Sequence, residues 1–334
     1  MTFEKIIANL EKRVYHPIYF LTGEQTYYID EIVGMIEDTV LQEAERDFNQ
    51  TVLYGRDTDV KQIISLAKRF PLMASHQLII IKEAQDIKQI AGLEPYVKSP
   101  LLSTILVMTY KYKKLDRRTS FAKAIARNGV FFEAPQMRDY QMPQWISEYI
   151  RKRGFKIGPR ECALLADHLG NQLGKVVNEL NKLFINVPEK GTITATHIEE
   201  HIGISKEYNV FEYQNALGQR DKMKAGRIAH YFSVNEKEMP VPKITAILFN
   251  YFTKVGLYHE LKNKSKDVVA RALKVNPFFV KDYEMAARHY SRKSVARVIA
   301  LLREYDLKSK GIGNVSNPGG ELIRELNYRI LAQP

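Results

Sequence analysis

The chain has 334 residues, ample for two or three domains with sizeable cores, and its 45% hydrophobic content is that of an ordinary globular protein. At a mean hydropathy of −0.31 its longest apolar runs are strand-sized, far short of the roughly 20 residues that cross a bilayer, so no membrane partner is expected. A single cysteine, Cys162, excludes an intrachain disulfide framework and any multi-cysteine metal site, and fits a reducing cytoplasm, while Met1-Thr2-Phe3-Glu4-Lys5-Ile6 lacks the basic and apolar parts of an export signal.

In chain order, the apolar run at 17–21 predicts a strand, followed by the turn Thr22-Gly23-Glu24-Gln25 and an amphipathic helix over 25–44. A nucleotide-binding α/β domain begins this way, but the phosphate loop is missing. A working loop needs Gly-x-x-x-x-Gly-Lys-Ser/Thr, whose amides cradle the phosphates while the lysine neutralises them and the hydroxyl binds magnesium. This turn has one glycine, no lysine, and acidic residues close by at Glu24 and Asp30. No cofactor is expected, and a fold of this class without its ATP chemistry usually serves to bind another protein. Further strands are predicted at 50–54, 77–82, 104–109 and 130–133, with helices near 59–68 and 119–128, so residues 1–140 read as an α/β domain with a mainly parallel sheet.

The connection Arg69-Phe70-Pro71-Leu72-Met73-Ala74-Ser75-His76-Gln77 enters the apolar strand at Leu78. Pro71 disfavours helix at Phe70 and Ser75 can start a turn, which places Leu72 and Met73 outside the regular elements. Two readings stand side by side. The pair plugs a hydrophobic cleft on a partner, a role that suits flexible methionine, or it folds back onto the sheet edge.

Near Pro143 the pattern turns helical. Helices are predicted at 144–153, 159–169, 171–184 and from Thr194 or Thr196 to Gly203, with Gly154, Gly170 and Gly203 suited to left-handed C-caps. From Asn209 onward the pattern is helical only, at 209–218, 221–233, 241–262, 267–273, 277–291, 293–309 and 320–331, which would pack as a bundle. Cys162, in an apolar series, reads as a small buried hydrophobe. His197-Ile198-Glu199-Glu200-His201 matches a zinc-peptidase string, but its helix is barely two turns long and no third ligand is identifiable, so it reads as a capped, solvent-facing helix. The glycine-rich stretch 311–320 follows a helix and carries no Gly-Lys-Ser/Thr, so it reads as an interhelical loop. There is no Gly-x-Ser-x-Gly elbow and no paired carboxylates that single out a general acid and base, so no catalytic residue is assigned.

The net charge of +12 is uneven. Lys and Arg number 19 against 18 Asp and Glu in residues 1–140, 8 against 7 in 141–205, and 23 against 13 in 206–334, so the last third carries +10. Such asymmetry points to nucleic acid or an acidic partner, and Lys222, Lys224 and Arg227 are candidate DNA contacts there, solvated helix faces being the bland alternative. Lys175, before that region, could equally be solvated. A stand-alone single-stranded nucleic-acid-binding protein is the other reading of this charge, with Tyr251, Phe252, Phe278 and Phe279 as stacking residues, although their helical positions suit a core.

Taken together in order and spacing, several segments resemble the delta subunit of the bacterial DNA polymerase III clamp loader over nearly the whole length. They are Pro17-Ile18-Tyr19-Phe20-Leu21-Thr22-Gly23-Glu24 with Tyr28-Ile29-Asp30-Glu31, Pro71-Leu72-Met73-Ala74-Ser75, and Lys114-Leu115-Asp116-Arg117-Arg118. Gly170-Asn171-Gln172-Leu173, Asn178-Glu179-Leu180-Asn181-Lys182-Leu183 and Asp306-Leu307-Lys308-Ser309-Lys310 complete the set. The resemblance implies a degenerate AAA+ domain over 1–140, a small all-α lid over 141–205 and an all-α collar and oligomerisation domain over 206–334. It implies a cytoplasmic subunit of a DNA-directed DNA polymerase holoenzyme without an active site of its own. Such a subunit joins delta prime and gamma or tau subunits in a hetero-pentamer, grips the sliding clamp (beta), and helps the ATP-driven complex load it on primed DNA during replication. The family's clamp wedge is a hydrophobic pair just before the strand at 77–82, and Leu72 and Met73, after Pro71, occupy those positions. The chain departs from the family at His76 and Gln77, where arginine is common, and at Leu72 and Met73, where many members have aromatic residues.

Overall fold

The computed structural model describes residues 1–205, 208–313 and 318–333. The chain divides into two units, Met1–Met137 with Gln172–Lys175, and Arg138–Asn171 with Val176–Pro334.

The first unit runs α1 (Phe3–Glu11), β1 (Ile18–Gly23), α2 (Thr26–Val40), α3 (Glu43–Asn49), β2 (Gln50–Tyr54), α4 (Val60–Ala67), β3 (Gln77–Lys82), α5 (Glu94–Lys98), β4 (Thr104–Lys111), α6 (Ser120–Asn128) and β5 (Val130–Glu133). The strand order is β2-β3-β4-β1-β5, with every neighbouring pair parallel. Ile18 lies beside Leu106, Gln77 beside Thr104 and Gln50 beside Leu78. This is the mainly parallel α/β domain that the sequence predicts. Parallel strands covered on both faces become continuous apolar runs, and β1, β3 and β4 are buried almost end to end. On one face Ile18, Phe20, Ile79, Ile81, Leu106 and Met108 join Phe121 and Ile125 of α6 and Tyr96 and Val97 of α5 in one core. On the other, α2 packs against β1 and β4.

From Arg138 onward the elements run α7 (Met142–Lys152), β6 (Lys156–Ile157), α8 (Pro159–Leu169), α9 (Leu173–Asn186), β7 (Thr192–Ile193), α10 (Ala195–Ile202), α11 (Val210–Gly218), α12 (Lys222–Val234), α13 (Val241–Glu260), α14 (Lys266–Leu273), α15 (Val280–His289), α16 (Arg292–Ser309) and α17 (Gly319–Leu331), all in the second unit but for the first residues of α9. Gly154, Gly170 and Gly203 have φ of 86°, 72° and 83°, the left-handed backbone that ends α7, α8 and α10. From Val210 to Leu331 the helices share one core, in which Tyr213, Phe232, Phe252, Tyr290 and Tyr305 are fully enclosed. Burying a phenol requires a partner for its hydroxyl, and Tyr213 donates to Asn327 Oδ1 at 3.2 Å while Tyr290 donates to the Leu217 carbonyl at 2.9 Å.

Some elements depart from the sequence reading. The helix expected over 25–44 stops at Val40, and α3 begins anew with a reciprocal cap between Gln42 and Glu45. The region 141–205 is not wholly helical, because β6 and β7 form a two-residue parallel pair. The helix expected over 277–291 is a 3-10 turn, Pro277–Phe279, leading into α15. Among the described residues no helix is long and apolar enough to cross a membrane.

Candidate functional site

The N-terminal edge of the sheet is where the loop after α4 emerges. The last turn of α4 is pinned from three sides. Tyr96 Oη and Thr104 Oγ1 donate to the Ala67 carbonyl at 3.2 and 2.9 Å, and the buried Gln77 amide donates to the Leu66 carbonyl at 2.9 Å. Pro71 then forbids continuation of the helix. The peptide of Leu72 is gripped from across the edge by the side chain of Asn49, at the end of α3: Leu72 N–H donates to Asn49 Oδ1 at 2.7 Å and Asn49 Nδ2 donates to the Leu72 carbonyl at 3.0 Å. Met73 follows at φ 52°, a left-handed conformation that a non-glycine residue adopts only when its surroundings impose it.

The consequence is an apolar projection. Phe70 is 78% exposed, Leu72 59% and Met73 96%, while Pro71 is half-buried. This geometry excludes the alternative in which Leu72 and Met73 fold back onto the sheet edge. The residues entering the neighbouring strands carry the same character. Phe48 precedes β2 and Leu102 precedes β4, and both are well exposed; Val14 stands half-exposed before β1. Scattered exposed apolar residues need no explanation, but these lie on successive segments that enter the sheet from one edge. His76, where arginine was noted as common in the resembling family, stands edge-on to Tyr15 with ring centres 5.7 Å apart, and its Nδ1 is 3.2 Å from Ser75 Oγ. Gln77 points inward.

The opposite edge, where the phosphates lie in a nucleotide-binding α/β domain, carries ion pairs among the chain's own groups. Gly23, at φ 127°, returns so tightly that an added Cβ would lie 2.9 Å from the Ala134 carbonyl. Lys111 pairs with Asp30 at 2.6 Å, and Glu133 takes both Lys114 at 2.9 Å and Arg117 at 2.8 Å. The hydrogen bond from Lys114 holds the Glu133 carboxyl below the usual carboxylate range. The cavity there is about 160 Å³, lined by Glu24, Lys114, Arg117 and Glu133 with residues 134–136. These cations are paired with the chain's own carboxylates.

Elsewhere the structure places the remaining sequence-derived residues. Lys222 and Arg227 are exposed on α12, whereas Lys224 is half-buried and paired with Glu212 of α11. Five further cations, Lys262, Lys264, Lys266, Arg271 and Lys274, are exposed along the segment entering and leaving α14, a basic stretch that sequence reading did not single out. Tyr251 and Phe252 are buried in the helical core and unavailable for base stacking. Phe279 is half-buried, and Phe278 has the Arg160 guanidinium 5.7 Å from its ring. His197 Nδ1 accepts from the Thr194 N–H at 3.3 Å as half of a reciprocal cap on α10, and among the described residues no cluster of His, Cys, Asp and Glu is placed to hold a metal ion. Of the glycine-rich stretch, residues 314–317 lie outside the described residues; Gly320 lies in the first turn of α17, where its N–H donates to the Glu236 carboxylate.

A cavity of about 850 Å³ in the second unit is lined by Asp139, Arg151, Cys162, Asp167, Lys254 and Asp282, among others. Burial raises the Asp167 and Asp282 carboxyls and lowers the Lys254 amine, but the charges alternate in sign without the arrangement of a nucleophile and its base. Burial also pushes the Cys162 thiol up to about 12. Reaction of Cys162 with a thiol reagent at neutral pH is therefore expected to be at least about tenfold slower in the native protein than after unfolding, because the thiolate is the reactive form. Equal rates, followed by absorbance, would mean that the thiol is not enclosed.

The sequence matches the family described as "DNA polymerase III, delta subunit" over residues 19–135 and the family described as "DNA polymerase III delta subunit, C-terminal domain" over residues 207–323. The DNA polymerase III subunit delta of Bacillus subtilis (strain 168) is 27% identical over 322 residues, spanning 93% of this chain and 92% of that protein. The solved structure of the Bacillus subtilis DNA clamp loader delta protein superposes with a TM-score of 0.53 at 24% identity, covering 99% of each chain, which places the two in one fold.

Proposed function

We propose a role that proceeds from family membership: this chain belongs to the DNA polymerase III delta subunit family, and it acts in a clamp loader by binding the sliding clamp and favouring its open form. The observation that carries this reading is the Leu72–Met73 projection, held out from the N-terminal sheet edge at the position of the family's wedge. Leu72 and Met73 enter a hydrophobic cleft on the clamp, with Pro71 setting the angle of approach and the exposed Phe70 adjoining them.

Opening follows from differential affinity. The subunit opens a clamp only to the extent that it binds the open ring better than the closed one, since equal affinity shifts nothing. ATP is handled by neighbouring subunits of the hetero-pentamer, a reading supported by the missing Gly-x-x-x-x-Gly-Lys-Ser/Thr at the turn after β1. The lid (141–205) and collar (206–334) divide the helical part between them, and the collar joins the delta prime and gamma or tau subunits. A clamp whose ring interfaces are closed by crosslinks is expected to bind more weakly than the unlocked clamp in a titration of the full chain. Equal affinity for the two would remove the opening step from this account.

The excess positive charge of the last third guides primed DNA by sequence-independent backbone contacts. Removing Lys222 or Arg227 is expected to reduce the salt slope of DNA binding by about one each, whereas Lys224→Ala has less effect because Glu212 already neutralises that lysine. Slopes unchanged in Lys222→Ala and Arg227→Ala would exclude this face from DNA contact.

A further inference from the structure

We infer that Asn49 is a positioning residue for the clamp contact, holding the Leu72 peptide so that Leu72 and Met73 are presented ready to dock; this inference rests on the role proposed above. A loop that exposes three large apolar side chains gains nothing in water by keeping them there. Left to itself it would sample many conformations, and a partner would have to order it on binding, which lowers affinity.

Asn49 supplies the missing constraint. Its side chain is 2% exposed, and its amide is used on both sides: Oδ1 accepts from Leu72 N–H at 2.7 Å, and Nδ2 donates to the carbonyls of Leu72 at 3.0 Å and Glu45 at 3.0 Å. Gripping the N–H and C=O of one residue imitates a strand partner for a single peptide, and the bond to Glu45 ties that grip to the last turn of α3. The next residue is Met73, whose φ of 52° swings its side chain outward. Other side chains do not replace this one. Alanine leaves both Leu72 groups without their partner, and aspartate keeps the acceptor but loses both donors. The neighbour Phe48 is exposed on the same edge, so α3 carries both the grip and part of the apolar rim.

The test uses the full chain, its sliding clamp, and three readings: clamp affinity, hydrogen exchange at the Leu72 amide in the free protein, and thermal unfolding. In Asn49→Ala the Leu72 amide is expected to exchange at least about a hundredfold faster, as its protecting bond is lost. Clamp affinity is expected to fall about tenfold, the loss that follows when the docking-competent fraction drops to roughly a tenth. Asn49→Asp should lie between. Ile125→Val in the sheet core, chosen to lower the unfolding midpoint by a similar amount, should leave affinity and Leu72 exchange at their native values, which separates positioning from general destabilisation. Native clamp affinity in Asn49→Ala overturns the inference, whatever the exchange rate. If the intact protein does not bind the clamp, the proposed function and this inference fall together, and faster exchange in Asn49→Ala then shows that the grip exists without that use.

Discussion

Replacing both Leu72 and Met73 by alanine is expected to weaken binding to the sliding clamp by at least about a hundredfold while leaving the fold intact. Each side chain is largely exposed, and full burial of a leucine or methionine in a partner's cleft stabilises a complex by about 1.5–3 kcal/mol. Truncation to alanine removes most of that from both, and about 1.4 kcal/mol corresponds to a factor of ten. Such anchors dominate an interface when they sit in desolvated pockets, whereas surrounding contacts mainly exclude water. The same exposure makes the stability cost small, within about 0.5 kcal/mol, since no core contact is lost. Calorimetric titration with parallel thermal unfolding checks both halves. An unchanged affinity would move the contact to another part of the edge, with Phe48 and Leu102 as the next residues to remove.

The largest effect on stability is expected at Phe20. It is wholly enclosed on the interior strand β1, with ring centres 5.4 Å from Tyr110, 5.5 Å from stacked Phe131 and 6.2 Å from Phe121. Phe20→Ala removes these contacts and leaves a cavity between the sheet and α6, at a cost of about 3–5 kcal/mol. That is a large part of the 5–15 kcal/mol that typically holds a domain together. The helical core of residues 210–331 shares none of these side chains. Denaturant unfolding followed by circular dichroism should therefore separate into two transitions, the first belonging to the α/β unit. A single transition at the native midpoint would show that the aromatic cluster is dispensable. Clamp binding should disappear with the first transition, because the loop at Leu72 has no support once the sheet edge is gone.

The α/β domain was legible because β1, β3 and β4 are buried on both faces and so write themselves as uninterrupted apolar runs between helical patterns. The break between α2 and α3 was not, since glutamine is a weak signal for a helix start and the cap at Gln42 depends on Glu45 turning back to it. Helix α5, five residues among 3-10 turns, is too short to show a period. In the candidate site, Pro71 and Ser75 were enough to place Leu72 and Met73 off the helix and off the strand. Asn49 left no trace, because its partner lies 23 residues along the chain and a side chain reaching a distant peptide imposes no local pattern. Lys224 shows the converse: its sequence neighbours advertise a basic face, and Glu212, twelve residues earlier, neutralises it. Phe70, Phe48 and Leu102 became candidates only once their exposure could be seen together at one edge.

The central claim, that the projecting edge of the α/β unit is a clamp-binding surface, is tested most directly by titrating the intact chain with the sliding clamp of the same organism in a calorimeter at several temperatures. The account predicts a saturable complex whose heat capacity change is negative, the signature of apolar surface leaving water. Absence of any saturable heat or complex across those temperatures would contradict it.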